Sequence, residues 1–246
     1  MASLQVISLV HGFIKQNAKF ETIEDKFRIP KDIENLIRAF FGSLFGSKIL
    51  TLKEEISFMD TVSKHKKCEI NNSFKLLYRG SENEYSAKRF HDLCDGQAPT
   101  FTIIQTEFGN VCGGYTEQKW MSTTQYLTDK NAFLFLIRSN DEYYAPKCPM
   151  IFECKSPEFA ILPSRKNGPT FGSGSELCIV DKCHKEYIFT EGQENEFEIP
   201  LSYCYRSSSD DYRVDGETLC GGNAVPNRKG RIKFFRVVEY EIFLVE

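Results

Sequence analysis

Glycine, serine and carboxylate are residue types from which reactive turns are built, and one stretch concentrates them. It reads Phe171-Gly172-Ser173-Gly174-Ser175-Glu176 and runs directly into Leu177-Cys178-Ile179-Val180. Glycines 172 and 174 open backbone angles that residues with a Cβ avoid. A nucleophile elbow would need Gly-x-Ser-x-Gly on a strand-to-helix turn. Gly172-Ser173-Gly174 is a different pattern, and an apolar strand follows it. A Walker-type phosphate loop would need a Lys-Ser/Thr closing a longer glycine loop, which is missing here. No base for Ser173 can be argued from the sequence. Two ordinary uses of such a turn remain: a sharp bend, or close approach of a ligand or partner to the backbone.

Thiols are the second chemical resource. Nine cysteines, an odd number without a CxxC pair, read as reduced thiols of a cytoplasmic protein. Reactivity requires a lowered thiol pKa and exposure. Cys94 and Cys112 fall at core-facing positions, whereas Cys148, Cys183 and Cys220 fall in loops and are the candidate redox thiols. Cys178, Cys183 and His184 lie close in sequence, but zinc needs three or four ligands with paired spacing. Cys178 sits in an apolar strand, where a thiol behaves as a small hydrophobe. No metal and no cofactor is therefore expected. His91 follows Phe90 on a short helix and reads as a surface or packing residue rather than a base.

These groups must be held by elements, and the elements are short. Twenty-one Phe and eleven Tyr against a single Trp favour strands, where aromatics suit a pleated, half-buried surface. A net charge of -3 excludes the basic footprint of bulk nucleic-acid binding. No apolar run approaches the roughly 18 residues of a membrane span. Residues 1–14 lack a basic leader and a small-residue cleavage site, so they are not read as a signal peptide.

The spacing predicts a helix over 4–19 and a strongly amphipathic one over Pro30-Phe41, with Ile33, Leu36, Ile37, Phe40 and Phe41 on one face. That face must dock on the main domain, on a partner or on a second copy. Gly42 to Gly46 reads as a hinge. Thr51-Leu52-Lys53-Glu54 is a capping box opening a helix to about Val62, followed by a basic loop at Lys64-Lys67. Ser86 caps a helix with Phe90, Leu93 and Cys94 inward, stopped by Asp95-Gly96. Strands are expected at 74–79, 101–105, 111–116, 133–137, 150–154, 159–162 and 177–180, with a hairpin turn at Glu107-Asn110. The acidic stretch 191–198 and the basic stretch 227–233 read as loops. A final strand over 235–245 aligns Val238, Tyr240, Ile242 and Leu244 on one face, with Glu239 and Glu241 on the other.

Several pieces then fall in one order: Phe74-Lys75-Leu76-Leu77-Tyr78-Arg79-Gly80, Phe90-His91-Asp92-Leu93-Cys94-Asp95-Gly96, Pro99-Thr100, and Gly109-Asn110-Val111-Cys112-Gly113-Gly114-Tyr115-Thr116. Trp120, Asp129 to Phe135, the glycine turn, and Val238-Glu239-Tyr240-Glu241-Ile242-Phe243 follow. Together they resemble a TLDc domain from about Ser47 to the end. The resemblance implies a mostly β (α+β) fold, a two-sheet antiparallel β-sandwich flanked by short helices. An N-terminal helical leader, 1–46, precedes the domain at 47–246. It is not a calcium-binding, lipid-binding or GTPase-regulating module. The loops in 181–231 depart from the family pattern.

The resemblance also implies a link to oxidative-stress resistance and to binding the vacuolar-type proton pump (V-ATPase), with no settled enzymatic reaction. The expected function is a non-catalytic interaction module, cytoplasmic or peripheral to organelle membranes through a protein partner. A thiol-dependent antioxidant enzyme and a lectin-like glycan-binding sandwich are the alternatives. Glu241 matches the acidic residue before the family's aliphatic–aromatic ending. Its carboxylate is costly on a sheet unless paired or wet. Gly172, Ser173, Gly174 and Glu241 thus form a candidate cluster, either a functional site or a lock in which Glu241 accepts N–H groups of the turn.

Overall fold

The computed structural model describes residues 45–66, 73–173, 176–185, 188–189, 205–207, 224–227 and 230–246; of 66, 188–189, 205–207, 224–227 and 230–235 it gives the backbone course only. The expected helices over 4–19 and Pro30-Phe41, and the acidic stretch 191–198, lie outside these residues.

The first described helix, α1, spans Leu52–Lys66. Its start is the expected capping box: Thr51 N–H donates to Glu54 Oε2 at 2.8 Å and Glu54 N–H to Thr51 Oγ1 at 3.3 Å. The helix outruns its expected end, so Lys64 and His65 are helical rather than part of a loop. The second helix, α2, spans Ala87–Cys94, and Ser86 Oγ accepts the N–H of Arg89 at 3.3 Å. Its buried face is Ala87, Phe90, His91 and Cys94. These positions follow the i, i+3, i+4, i+7 rule, which leaves Leu93 off the stripe and exposed, against expectation.

A seven-stranded antiparallel sheet forms the main layer. Its strands are β1 (Phe74–Arg79), β2 (Thr100–Thr106), β3 (Val111–Thr116), β4 (Phe133–Arg138), β5 (Met150–Cys154), β9 (Tyr205–Ser207) and β12 (Val237–Val245). They lie in the order β1-β12-β2-β3-β4-β5-β9. The hairpin of β6 (Asn167–Phe171) and β7 (Leu177–Val180) is a second sheet, and β8 (Ile188–Phe189), β10 (Ala224–Asn227) and β11 (Gly230–Phe235) form a third.

Alternation along the strands gives the main sheet two apolar faces. Ile104, Cys112, Leu134, Leu136, Tyr240 and Ile242 pack against Phe171, Leu177 and Ile179 of the β6–β7 hairpin and against Phe90 and Cys94 of α2. Phe101, Ile103, Phe135 and Phe243 pack against Phe58 and Val62 of α1 and against Phe45, Ile49 and Leu50. The result is the expected antiparallel sandwich with short flanking helices, and its second sheet is small. Phe45, two residues before the expected domain start, already belongs to this core; its ring stacks on Phe74 at 4.1 Å.

Two glycines in β3 make the layers fit. A Cβ on Gly113 would lie 1.8 Å from the Thr102 carbonyl oxygen, and one on Gly114 would lie 2.6 Å from the Phe171 ring. Phe171 therefore rests against bare backbone, joining the hairpin to the main sheet.

Several strand expectations are corrected. Residues 159–162 are no strand: Pro157–Phe159 is one 3-10 turn, and Ile161 makes only isolated bridges with Leu127 and Phe171. Pro157 and Pro163 flank the segment and remove donors that a ladder needs. The described residues of the basic stretch 227–233, expected as a loop, fall in the paired strands β10 and β11, and β6 is absent from the expected strands because Gly168 and Pro169 dilute its signal. In β12 the register shifts between Val237 and Glu239, so Val237 is buried and Val238 is 49% exposed instead of facing the core.

Candidate functional site

The glycine turn joins β6 to β7. Gly172 has φ +84°, the left-handed region, and donates its N–H to the Ala160 carbonyl at 2.9 Å. A Cβ there would fall 1.5 Å from Glu176 Oε2, so a carboxylate occupies the space that glycine leaves. Glu176 is buried. Ser173 is exposed, and its carbonyl accepts the Tyr126 hydroxyl at 3.0 Å. Gly174 lies outside the described residues.

Glu241 lies elsewhere. On β12 it pairs laterally with Arg79 of β1 and Ile103 of β2. Its neighbours Tyr240 and Ile242 face the β6–β7 hairpin, so alternation turns Glu241 to the opposite face, with Phe243. There it is fully buried. Arg79 Nε donates to Oε1 at 2.7 Å, Lys48 N–H to Oε1 at 3.0 Å, and Ser47 Oγ to Oε2 at 2.6 Å. Ser47 Oγ also accepts the N–H groups of Ile49 and Leu50 at 3.0 and 3.1 Å. Arg79 continues outward, one guanidinium nitrogen reaching the Gly46 carbonyl at 3.1 Å and the other Glu82 at 2.8 Å. Lys48 Nζ meets the same Glu82 at 2.8 Å. Hydrogen bonds from Lys48 and Arg79 hold the Glu82 carboxyl at about 2, well below the usual carboxylate range. Glu241 thus gathers the chain at 46–48, on the face opposite the glycine turn. The carboxylate at the turn is Glu176, four residues after Gly172, within the same motif.

His91 forms a third polar node. Its Nδ1 lies 2.8 Å from Asp95 Oδ1, and Nε2 lies 3.0 Å from the carbonyls of both Ser164 and Asn167. Carbonyls only accept, so Nε2 carries a proton. An aspartate orienting a histidine is half of a catalytic arrangement. Here the other ring nitrogen is occupied by main chain, which ties α2 to the start of β6.

All six described cysteines are free thiols. Cys183, expected in a loop, is fully buried among Tyr78, Tyr240 and Cys94, and burial pushes its thiol far up. Cys94 and Cys178 are pushed up by burial as well. Cys148 is half-buried, and burial raises its thiol to about 11. Each shift lowers the thiolate fraction, opposite to what a redox thiol needs. Cys220 lies outside the described residues. His184 stacks on the Tyr85 ring at 4.2 Å. No three His, Cys, Asp or Glu side chains converge to hold a metal among the described residues.

Compared with known protein families, residues 44–245 match the family model described as TLDc domain, more than four-fifths of the 246 residues.

Proposed function

The chain belongs to the TLDc domain family, and from that premise we propose that it is a non-catalytic interaction module supporting oxidative-stress resistance by binding the vacuolar-type proton pump. The carrying observation is how its reactive groups are used. The Glu241 carboxylate is consumed by Arg79, Ser47 and Lys48. His91 is consumed by Asp95 and two carbonyls. The buried thiols are held protonated. Among the described residues, charged and nucleophilic side chains engaged in bracing the layers support a role carried by the surface. Among the described residues no helix is long and apolar enough to cross a membrane. Under this reading the chain works in the cytoplasm and reaches organelle membranes through its partner.

Affinity purification of the full chain from host lysate tests this reading. Pump subunits should be recovered repeatedly, and purified protein should consume no peroxide under thiol cycling. Repeated absence of the subunits would count against the pump as partner, and peroxide turnover lost on Cys148→Ser would replace the module with the thiol-enzyme alternative.

A further inference from the structure

Two surface segments run side by side: Thr123 N–H donates to the Pro163 carbonyl at 3.1 Å, and Leu127 N–H to Ile161 at 2.9 Å. Between them lies a strip of apolar side chains in water: Met121 is 41% exposed, Tyr126 37% and Phe159 39%. The Tyr126 and Phe159 rings meet edge-on at 5.3 Å, directly over the glycine turn that Tyr126 holds. Among the described residues, three of the six exposed large apolar side chains occupy this one strip.

These two segments carry charge opposite in sign to that of the whole, while Asp95 and Glu117 of neighbouring elements accept from Ser122 Oγ at 3.0 Å and Asn131 Nδ2 at 2.7 Å at their ends. The chain carries a net -3. Segments 119–131 and 155–167, which build the strip, hold five basic residues and two acidic ones. Of the acidic pair, Asp129 is buried and satisfied by Thr116 Oγ1 and the Glu117 N–H, each at 2.7 Å. That leaves Glu158 as the exposed carboxylate of these segments. Among the basic residues, Lys155 is paired with Glu153. Lys119, Lys130, Arg165 and Lys166 are all exposed. They stand at both ends. Asp129 bonds Pro157 beside Phe159, which brings Lys130 to one end; Arg165 and Lys166 follow Pro163 at the other, near Met121.

We propose that this strip is a docking surface for a short acidic peptide segment of a partner protein, with apolar side chains on Tyr126, Phe159 and Met121 and carboxylates on the flanking basic residues. This inference rests on the interaction-module reading and assigns it a surface. Fully extended, the seven residues from Met121 to Leu127 would span about 20 Å; the Thr123 N–H bonded to the Met121 carbonyl at 3.1 Å bends them, so the docked segment is no longer than about six residues. Aromatic and Met side chains supply contact area, and the rim charges supply orientation and encounter rate.

The test uses the full chain and a fluorescein-labelled peptide of about eight residues alternating glutamate with leucine and tryptophan, with its lysine counterpart as control. The acidic peptide should bind at least about tenfold tighter than the lysine one, and more weakly as salt rises. Met121→Ser with Phe159→Ser should weaken it about tenfold, as should Arg165→Glu with Lys166→Glu. Lys75→Glu on β1, at the edge of the sheet, should leave binding unchanged. All these side chains are exposed, and unaltered thermal midpoints would confirm that each variant folds. Equal affinity for both peptides, wild-type binding by both double variants, or adsorption to phosphatidylserine vesicles in place of the peptide would overturn the proposal. So would recovery of pump subunits by the double variants as efficiently as by the wild type; that result would remove this surface and leave the interaction reading standing.

Discussion

A fully buried carboxylate survives in an apolar layer only if its oxygens are met, and Glu241 has three donors on two oxygens. Arg79 is the only charged one of the three. Removing it leaves an uncompensated buried charge, and for such a break the loss is about 3–5 kcal/mol, far above the roughly 1 kcal/mol of a neutral hydrogen bond. Arg79→Met should therefore lower unfolding free energy in urea by about 3–5 kcal/mol. Glu241→Gln combined with Arg79→Met should recover part of that loss, because the stranded charge is gone. A single-variant loss below about 1 kcal/mol would mean that Ser47 and Lys48 alone sustain the carboxylate.

At the scale of elements, β3 is the strand on which both layers close. Its two glycines look alike in sequence and differ in what a methyl group would strike. At Gly113 the obstacle is the Thr102 carbonyl oxygen, 1.8 Å away on the paired strand β2. Backbone in a ladder cannot retreat without breaking the ladder. At Gly114 the obstacle is the Phe171 ring, 2.6 Å away on the neighbouring hairpin. A hairpin docked by side chains can shift by a few tenths of an ångström. Gly114→Ala should fold with a loss of about 1–3 kcal/mol, and hydrogen exchange should quicken in β7 more than in β2. Gly113→Ala should cost more than about 3 kcal/mol or abolish the cooperative transition. Equal urea midpoints for the two variants would contradict this assignment of the contacts.

At the scale of the whole molecule, a set of weak acids among the described residues is buried or half-buried. Burial raises Cys148 to about 11 and Tyr85 to about 12, and pushes Cys94, Cys178, Cys183, Tyr78 and Tyr240 upward as well. Each holds its proton in the folded state at a pH where the unfolded chain, with thiols near 9.0 and phenols near 10.0, has lost it. Their protonated burial is fully favourable below those ordinary values and is lost as pH rises through the folded ones. The thermal midpoint should stay level to about pH 8 and fall progressively above about pH 9, thiols first and phenols after. A midpoint flat to about pH 11 would contradict this burial. Below that range, iodoacetamide should modify Cys94 and Cys183 only at the rate of unfolding.

Local energies were legible without coordinates. The capping box at Thr51, the Ser86 cap, the β2–β3 hairpin and the period-two strands each involve neighbours within a few residues, so their residues announce them. The family motifs carried the sandwich and the antiparallel sheet. Three assignments needed the folded chain. Period two put Glu241 opposite Tyr240 and Ile242, but only the packed layers decided which face meets the hairpin and hence that Arg79, Ser47 and Lys48, not the glycine turn, receive it. Cys183 follows a polar turn yet ends under Tyr78 and Tyr240, because burial depends on what folds over a residue, not on its neighbours in sequence. The exposed strip of Met121, Tyr126 and Phe159 arises from two irregular segments brought together by a few main-chain bonds. Such bonds leave no periodicity, so the surface that the chain presents was settled by tertiary contact alone.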